Sequence, residues 1–169
     1  MNIYLIGFMG CGKNTLGREI ASALGLEISD TDELVRETSG MTIPEVFDRY
    51  GEEAFRKLES EVLRSLPDRR LVITGGGLPC FGDNMAYMKR NGYVVYLEVP
   101  VPILFERLKK AENKRQRPLI SRLDDNELEN HIRTSIEKRK RSYVQADYVF
   151  RTPEQETKTL IEKLKTIRL

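Results

Sequence analysis

The stretch Gly7-Phe8-Met9-Gly10-Cys11-Gly12-Lys13 fills seven positions of the G-x-x-x-x-G-K-[ST] pattern, a spacing that suits phosphate binding. Glycines let the chain wrap until backbone N–H groups converge on phosphate oxygens. A helix that follows adds its positive N-terminal end, and Lys13 adds a mobile full charge. Gly10, Cys11, Gly12, Lys13, Asn14 and Thr15 are therefore the candidate nucleotide-phosphate contacts. The eighth position departs from the pattern: Asn14 stands where a serine or threonine hydroxyl normally meets Mg²⁺. Thr15 does not substitute, because a shift of one residue turns its side chain about 100° around a helix. The Asn14 carbonyl is a longer ligand for a metal that demands near-octahedral geometry at about 2.0–2.1 Å, so weakened metal placement is expected.

Three further groups carry chemistry. Asp30-Thr31-Asp32 offers two carboxylates just after an apolar run, and Gly75-Gly76-Gly77 follows another. Between Lys110 and Arg122 the chain is polar, basic and without periodicity. Each has a plain structural alternative. The aspartates suit a helix cap, the glycines a tight turn, and the basic stretch a solvated loop. Arg56, on a charge-rich helix, suits a solvated surface. The lone histidine, His131, lies beside an apolar stripe and reads as structural or solvent-facing. Cys11 inside the loop makes thiol modification a route to blocking ATP binding, and Cys80 has no visible task.

The elements that must position these groups alternate. Apolar runs at Asn2–Ile6, Leu26–Ile28, Leu71–Thr74, Tyr93–Leu97 and Tyr148–Phe150 read as strands. Between them lie helical periods: Leu16, Ile20 and Leu24, ended by Gly25; a short helix opened by the Thr42/Glu45 capping box; and Phe55, Leu58, Val62 and Leu66, broken at Pro67. A helix is expected around Asp83–Arg90, another from Pro100 through Leu108, and one capped by Asp124 and Glu127 with Leu128, Ile132 and Ile136. The last is expected to open at Thr152-Pro153 and to carry Leu160, Ile161 and Leu164. Strands alternating with helices imply an α/β fold, a parallel sheet covered on both faces, with ligands beyond the strands' carboxyl ends.

With the phosphate loop in place, four more stretches resemble shikimate kinase: Asp30-Thr31-Asp32, Glu53-Ala54-Phe55-Arg56, Gly75-Gly76-Gly77 and Arg117-Pro118-Leu119. A fifth, Arg139 with Tyr143 and Ala146-Asp147, is similar to that family's R-x-P-L-Y…A-D segment, with Arg141-Ser142 replacing its Pro-Leu pair. The resemblance implies a P-loop fold of three αβα layers with a five-stranded parallel sheet, like the nucleoside monophosphate kinases. It implies a single domain over 1–169 with a substrate subdomain near 31–60 and a lid near 111–122.

It further implies transfer of the ATP γ-phosphoryl group to the 3-hydroxyl of shikimate, on the route to chorismate and aromatic amino acids. Lys13, Asp32 and Arg117 would be catalytic, with Asp32 holding the acceptor hydroxyl. Arg56, Arg139, Asp32 and Gly75–Gly77 would bind shikimate. Asn14 and Asp30 would serve Mg²⁺, and Lys110, Arg117 and Pro153 would join the ATP contacts. The chemistry agrees with these roles: a transferring phosphoryl needs cations around it, and planar guanidinium forks hold a carboxylate well. Another metabolite kinase acting on gluconate or a nucleoside monophosphate, or an ATP-binding module that does not catalyse, remain the alternatives.

Composition sets outer limits. With 28 basic against 26 acidic residues the formal charge is +2, which gives no footprint for nucleic acid. No apolar run reaches the ~20 residues of a membrane span, the N-terminal run reads as a buried strand, and two cysteines without ligand spacing suggest free thiols. A cytoplasmic monomer is expected.

Overall fold

The structure is a computed structural model that describes residues 1–110, 120–153 and 155–167. Five strands, β1 (Asn2–Ile6), β2 (Glu27–Asp30), β3 (Arg70–Ile73), β4 (Gly92–Glu98) and β5 (Tyr148–Arg151), form one parallel sheet in the order β2-β3-β1-β4-β5. Leu5 pairs with Ile73, and Ile73 with Asp30, so β1, β2 and β3 end side by side. The phosphate loop, Asp30-Thr31-Asp32 and the glycine triplet consequently leave the sheet at one edge. That placement is the fold's contribution to function.

Period-2 alternation sorts the strand side chains into two layers. Ile3, Leu5, Leu71, Val95 and Leu97 face one, packed by α1 (Lys13–Leu24), α5 (Val101–Leu108), the start of α6 (Asp125–Tyr143) and α7 (Thr157–Lys165). Tyr4, Ile6, Val72, Val94 and Tyr96 face the other, against Leu63 of α3 (Ile43–Ser65), Met85 and Met88 of α4 (Asn84–Asn91), and Tyr143 at the end of α6. A third, small core of Val35, Val46, Phe55 and Val62 joins α2 (Thr31–Ser39) to α3 away from the sheet.

All five expected strands form, with β2 running on to Asp30. Both capping boxes close: Thr42 with Glu45, and Asp124 with Glu127. The two helices expected either side of residue 50 are the halves of α3, bent at Gly51, whose backbone has φ 79° and ψ 173°. Residues 31–39 form α2, a helix without a periodic apolar stripe, and Asp30 caps it as the alternative reading of the aspartates expected. One expectation needs correction. The terminal helix opens at Thr157 rather than at Thr152-Pro153. There the sheet wins: the Thr152 N–H bonds the Glu98 carbonyl at 3.1 Å, prolonging the β4–β5 ladder, and Gln155 N–H returns to the Arg151 carbonyl at 2.9 Å.

Candidate active site

The loop from Gly7 to Gly12 turns through three glycines with positive φ, at Gly7, Gly10 and Gly12, and enters α1 without a side-chain cap. The first turn of α1 therefore presents free N–H groups at the positive end of its dipole. Lys13 is buried, and its Nζ donates to the Gly7 carbonyl at 2.8 Å and the Phe8 carbonyl at 3.3 Å. Asn14 and Thr15 are exposed in that first turn. Leu108 packs under Gly10, where a Cβ would stand 3.0 Å from its Cδ2, and Arg107 donates to the Gly10 carbonyl at 3.1 Å.

Beside the loop, the glycine triplet abuts four charged side chains. A Cβ on Gly75 would stand 2.7 Å from both Asp32 Oδ1 and Glu59 Oε1. On Gly76 it would meet Arg139 Nη1 at 3.1 Å and the Gly7 carbonyl oxygen at 3.3 Å. On Gly77 it would fall 2.6 Å from Arg56 Nη1. None of the three has positive φ. The missing side chains, not turn conformations, are what this segment uses. It touches the phosphate loop at Gly7 and the proposed acceptor residues everywhere else.

Asp30 is the N-cap of α2: its Oδ1 accepts the N–H groups of Asp32 at 2.9 Å and Glu33 at 3.4 Å. Asp32, two residues on, does not cap. Burial and, next, the charge of Asp30 push its carboxyl pKa up, while Lys13, Arg36 and Arg56 pull it down. Arg139 lies over the Phe8 ring of the phosphate loop, 5.4 Å from its centroid. Arg56, Arg139, Gly77, Glu52, Glu53, Cys80 and Phe81 line a cavity of about 520 Å³, a volume suited to a small metabolite. The structure thus brings Lys13, Asp32, Arg56, Gly75–Gly77 and Arg139 together. Lys110 follows the end of α5 and Pro153 follows β5, both exposed. Arg117 lies outside the described residues, as do positions 111–119 of the expected lid.

Comparison with known proteins points to one family. The shikimate kinase family model matches residues 9–168. A curated shikimate kinase from Bacteroides thetaiotaomicron is 41% identical over 164 residues, covering 96% of this chain and 93% of the relative. The crystal structure of shikimate kinase from that organism superposes with a TM-score of 0.88 at 37% identity, covering 98% of this chain and 96% of that one. An Acinetobacter baumannii shikimate kinase in complex with shikimate gives 0.83 at 35% identity, over 97% and 90% of the two chains. The chain belongs to the shikimate kinase family.

In this kinase the sequence alone left several site residues without a role. Glu59 is the clearest: it is 1% exposed and its Oε2 accepts from Arg56 Nη1 at 2.5 Å. Desolvation raises its pKa to about 7 against the opposing pull of Arg56. The signal was present, since Glu59 falls on the same helical stripe as Phe55, Leu58 and Val62, where a carboxylate requires a partner. Thr31 is another: its Oγ1 is fully buried and accepts the Gly75 N–H at 2.9 Å. Arg107 on the loop carbonyl carries no signal in the sequence, because only folding brings α5 beneath the loop. Asp147 of the fifth stretch is structural. Its Oδ2 accepts the Val94 N–H at 2.9 Å, and it pairs with Lys89 at 3.2 Å. Among the described residues no cluster of three or more His, Cys, Asp or Glu side chains forms a metal cage.

Proposed function

We propose that the enzyme transfers the γ-phosphoryl group of ATP to the 3-hydroxyl of shikimate, with Asp32 holding the acceptor hydroxyl and Arg56 and Arg139 holding the shikimate carboxylate. The observation that carries this reading is the convergence of Asp32, Arg56 and Arg139 on three successive glycines that abut the phosphate loop. An anionic acceptor bound there meets guanidinium forks at one end and a carboxylate at the other.

Phosphoryl transfer is mainly positioning and charge neutralisation. The loop amides and Lys13 hold the β- and γ-phosphates, and their charge is matched where it grows during transfer. Asp32 orients the acceptor oxygen and takes its proton; the burial that raises its pKa makes it a better base than an exposed aspartate. Arg117 is assigned to the transferring phosphoryl, and Lys110 and Pro153 to the adenine side of ATP. Residues 31–60 act as the substrate-binding body, because α2 and both halves of α3 share a small core of their own.

Asn14 and Asp30 fit a magnesium site of the phosphate-bridged kind, in which the protein supplies few ligands. Asn14 is exposed at the loop's end, and Asp30, already a cap, keeps its second oxygen for the metal's water shell. Bound there, Mg²⁺ would neutralise phosphate charge. No described helix is long and apolar enough to cross a membrane. A cytoplasmic monomer acting without nucleic acid completes the proposal.

The test is ADP release in a coupled assay with shikimate, gluconate and nucleoside monophosphates offered in parallel. Saturable turnover with shikimate alone is expected. Turnover with another acceptor and none with shikimate would overturn the assignment.

A further inference from the structure

Tyr143 ends α6, one helical turn beyond Arg139, and is fully buried in the second core layer. Its ring packs on Tyr96 with centroids 4.9 Å apart. A tyrosine in an apolar layer needs a partner for its hydroxyl, and here the partner belongs to the glycine segment: the hydroxyl donates to the Gly76 carbonyl at 2.7 Å. The Arg139 guanidinium approaches the same residue, standing 3.1 Å from where a Gly76 Cβ would lie, with the Tyr143 oxygen at 3.7 Å. Burial raises the phenol's pKa, and Arg139 draws it back.

Gly76 sits at the junction of the two halves of the site. A Cβ there would stand 3.3 Å from the Gly7 carbonyl oxygen, and Lys13 Nζ donates to that same carbonyl at 2.8 Å. The middle of the segment gains no grip from its own side chains, since residues 75–77 have none. Its anchors come from outside: Thr31 takes the Gly75 N–H at 2.9 Å, Asn84 Nδ2 donates to the Leu78 carbonyl at 3.0 Å, and Tyr143 takes Gly76.

The geometry points to Tyr143 as a positioning residue for the acceptor, fixing the Gly76 peptide and the Arg139 guanidinium relative to each other so that the substrate carboxylate meets a preformed site. The inference rests on the acceptor-site reading above. Tyr143 itself touches no reacting atom. It acts through Arg139 and through the Gly76 backbone, and its effect belongs to binding of the acceptor, not of ATP.

Tyr143→Phe keeps the ring and its packing and removes the hydroxyl alone. Tyr96→Phe is the matched control, taking a hydroxyl from the other ring of the same pair. In Tyr143→Phe the KM for shikimate, and its Kd by calorimetry, should rise about tenfold, the size of one buried hydrogen bond. The ATP KM should stay within about twofold, as should both constants in Tyr96→Phe. Combined with Arg139→Lys, the effect of Tyr143→Phe should shrink, because the two groups act as a unit. An unchanged shikimate KM, equal losses for both substrates, strict additivity with Arg139→Lys, or loss of the fold in Tyr143→Phe would each overturn the inference. Wild-type protein that turns over no shikimate at all would instead overturn the acceptor reading on which it rests.

Discussion

The phosphate loop and the proposed acceptor pocket are built by opposite means. The loop is a single stretch, Gly7 to Thr15, that works through backbone amides, one helix end and one lysine. The pocket gathers side chains from residues 32, 56, 59 and 139, on three different helices, around a segment of three glycines that has no side chains at all. The contrast follows from what each half must recognise. A triphosphate tail is a concentrated charge that local backbone geometry can satisfy. An acceptor is recognised by shape and by the direction of its polar groups, and only tertiary packing brings forks and carboxylates to fixed separations. Gly76 against Gly7 is where the two constructions meet.

Substitutions on either side should break this division in different ways. Lys13→Met on the phosphate side should lower kcat/KM by about 10³-fold for both substrates, since it removes a full charge from the transferring group. Asp32→Asn on the acceptor side should lower kcat by about 10²-fold or more while the ATP KM holds. Steady-state kinetics with each substrate varied in turn checks both. An Asp32→Asn enzyme that lost ATP affinity as well would blur the boundary.

Glu59 gives the comparison a pH dependence. Above about 7 the carboxylate is ionised and holds Arg56 in place; below it, protonation weakens that grip. The shikimate KM should therefore rise by several-fold as pH falls from 8 to 6, a change of under about 1.5 kcal/mol, whereas the ATP KM should not follow. Glu59→Gln should flatten the profile at the acidic limb's value. Stability should move the other way. The folded pKa of about 7 lies above the ordinary 4.5, so the contribution of this group is full below about 4.5 and lost as pH rises through about 7. Melting curves of wild type and Glu59→Gln between pH 4.5 and 8 would check the sign.

The smallest expected change is Asn14→Ser. Placing a short hydroxyl at the proposed metal position should improve kcat and the apparent affinity for MgATP by a few-fold, within about 1 kcal/mol, and leave the shikimate KM alone. No gain at limiting Mg²⁺ would show that Asn14 already places the metal as well as serine.

The same contrast explains what could be read from the sequence. Strand β1, the loop and α1 were legible because each is local: an apolar run, glycines at fixed spacing, then a 3.6-residue period. The two capping boxes were legible for the same reason. Helix α2 was not, since Val35 is its one buried apolar residue and the rest of Thr31–Ser39 is almost all polar or charged. The one signal for it was the alternative reading of the aspartates as a helix cap, and Asp30 is that cap. The last helix was misplaced because Pro153 is a good first helical residue in isolation, and the ladder bond at Thr152 exists only once β4 and β5 pair. Within the pocket, Asp32, Arg56 and Arg139 came from family resemblance, not from spacing. Glu59 was visible as a charge on an apolar stripe, and the arginine that answers it, Arg56, lies one turn earlier on the same side of the helix.

The most direct test of the account is a crystal structure of the enzyme with shikimate and ADP bound. The account predicts the shikimate carboxylate between Arg56 and Arg139, and the 3-hydroxyl within hydrogen-bond reach of Asp32 on the side facing the phosphate loop. Shikimate bound elsewhere, or reversed so that its carboxylate points at Lys13, would contradict it.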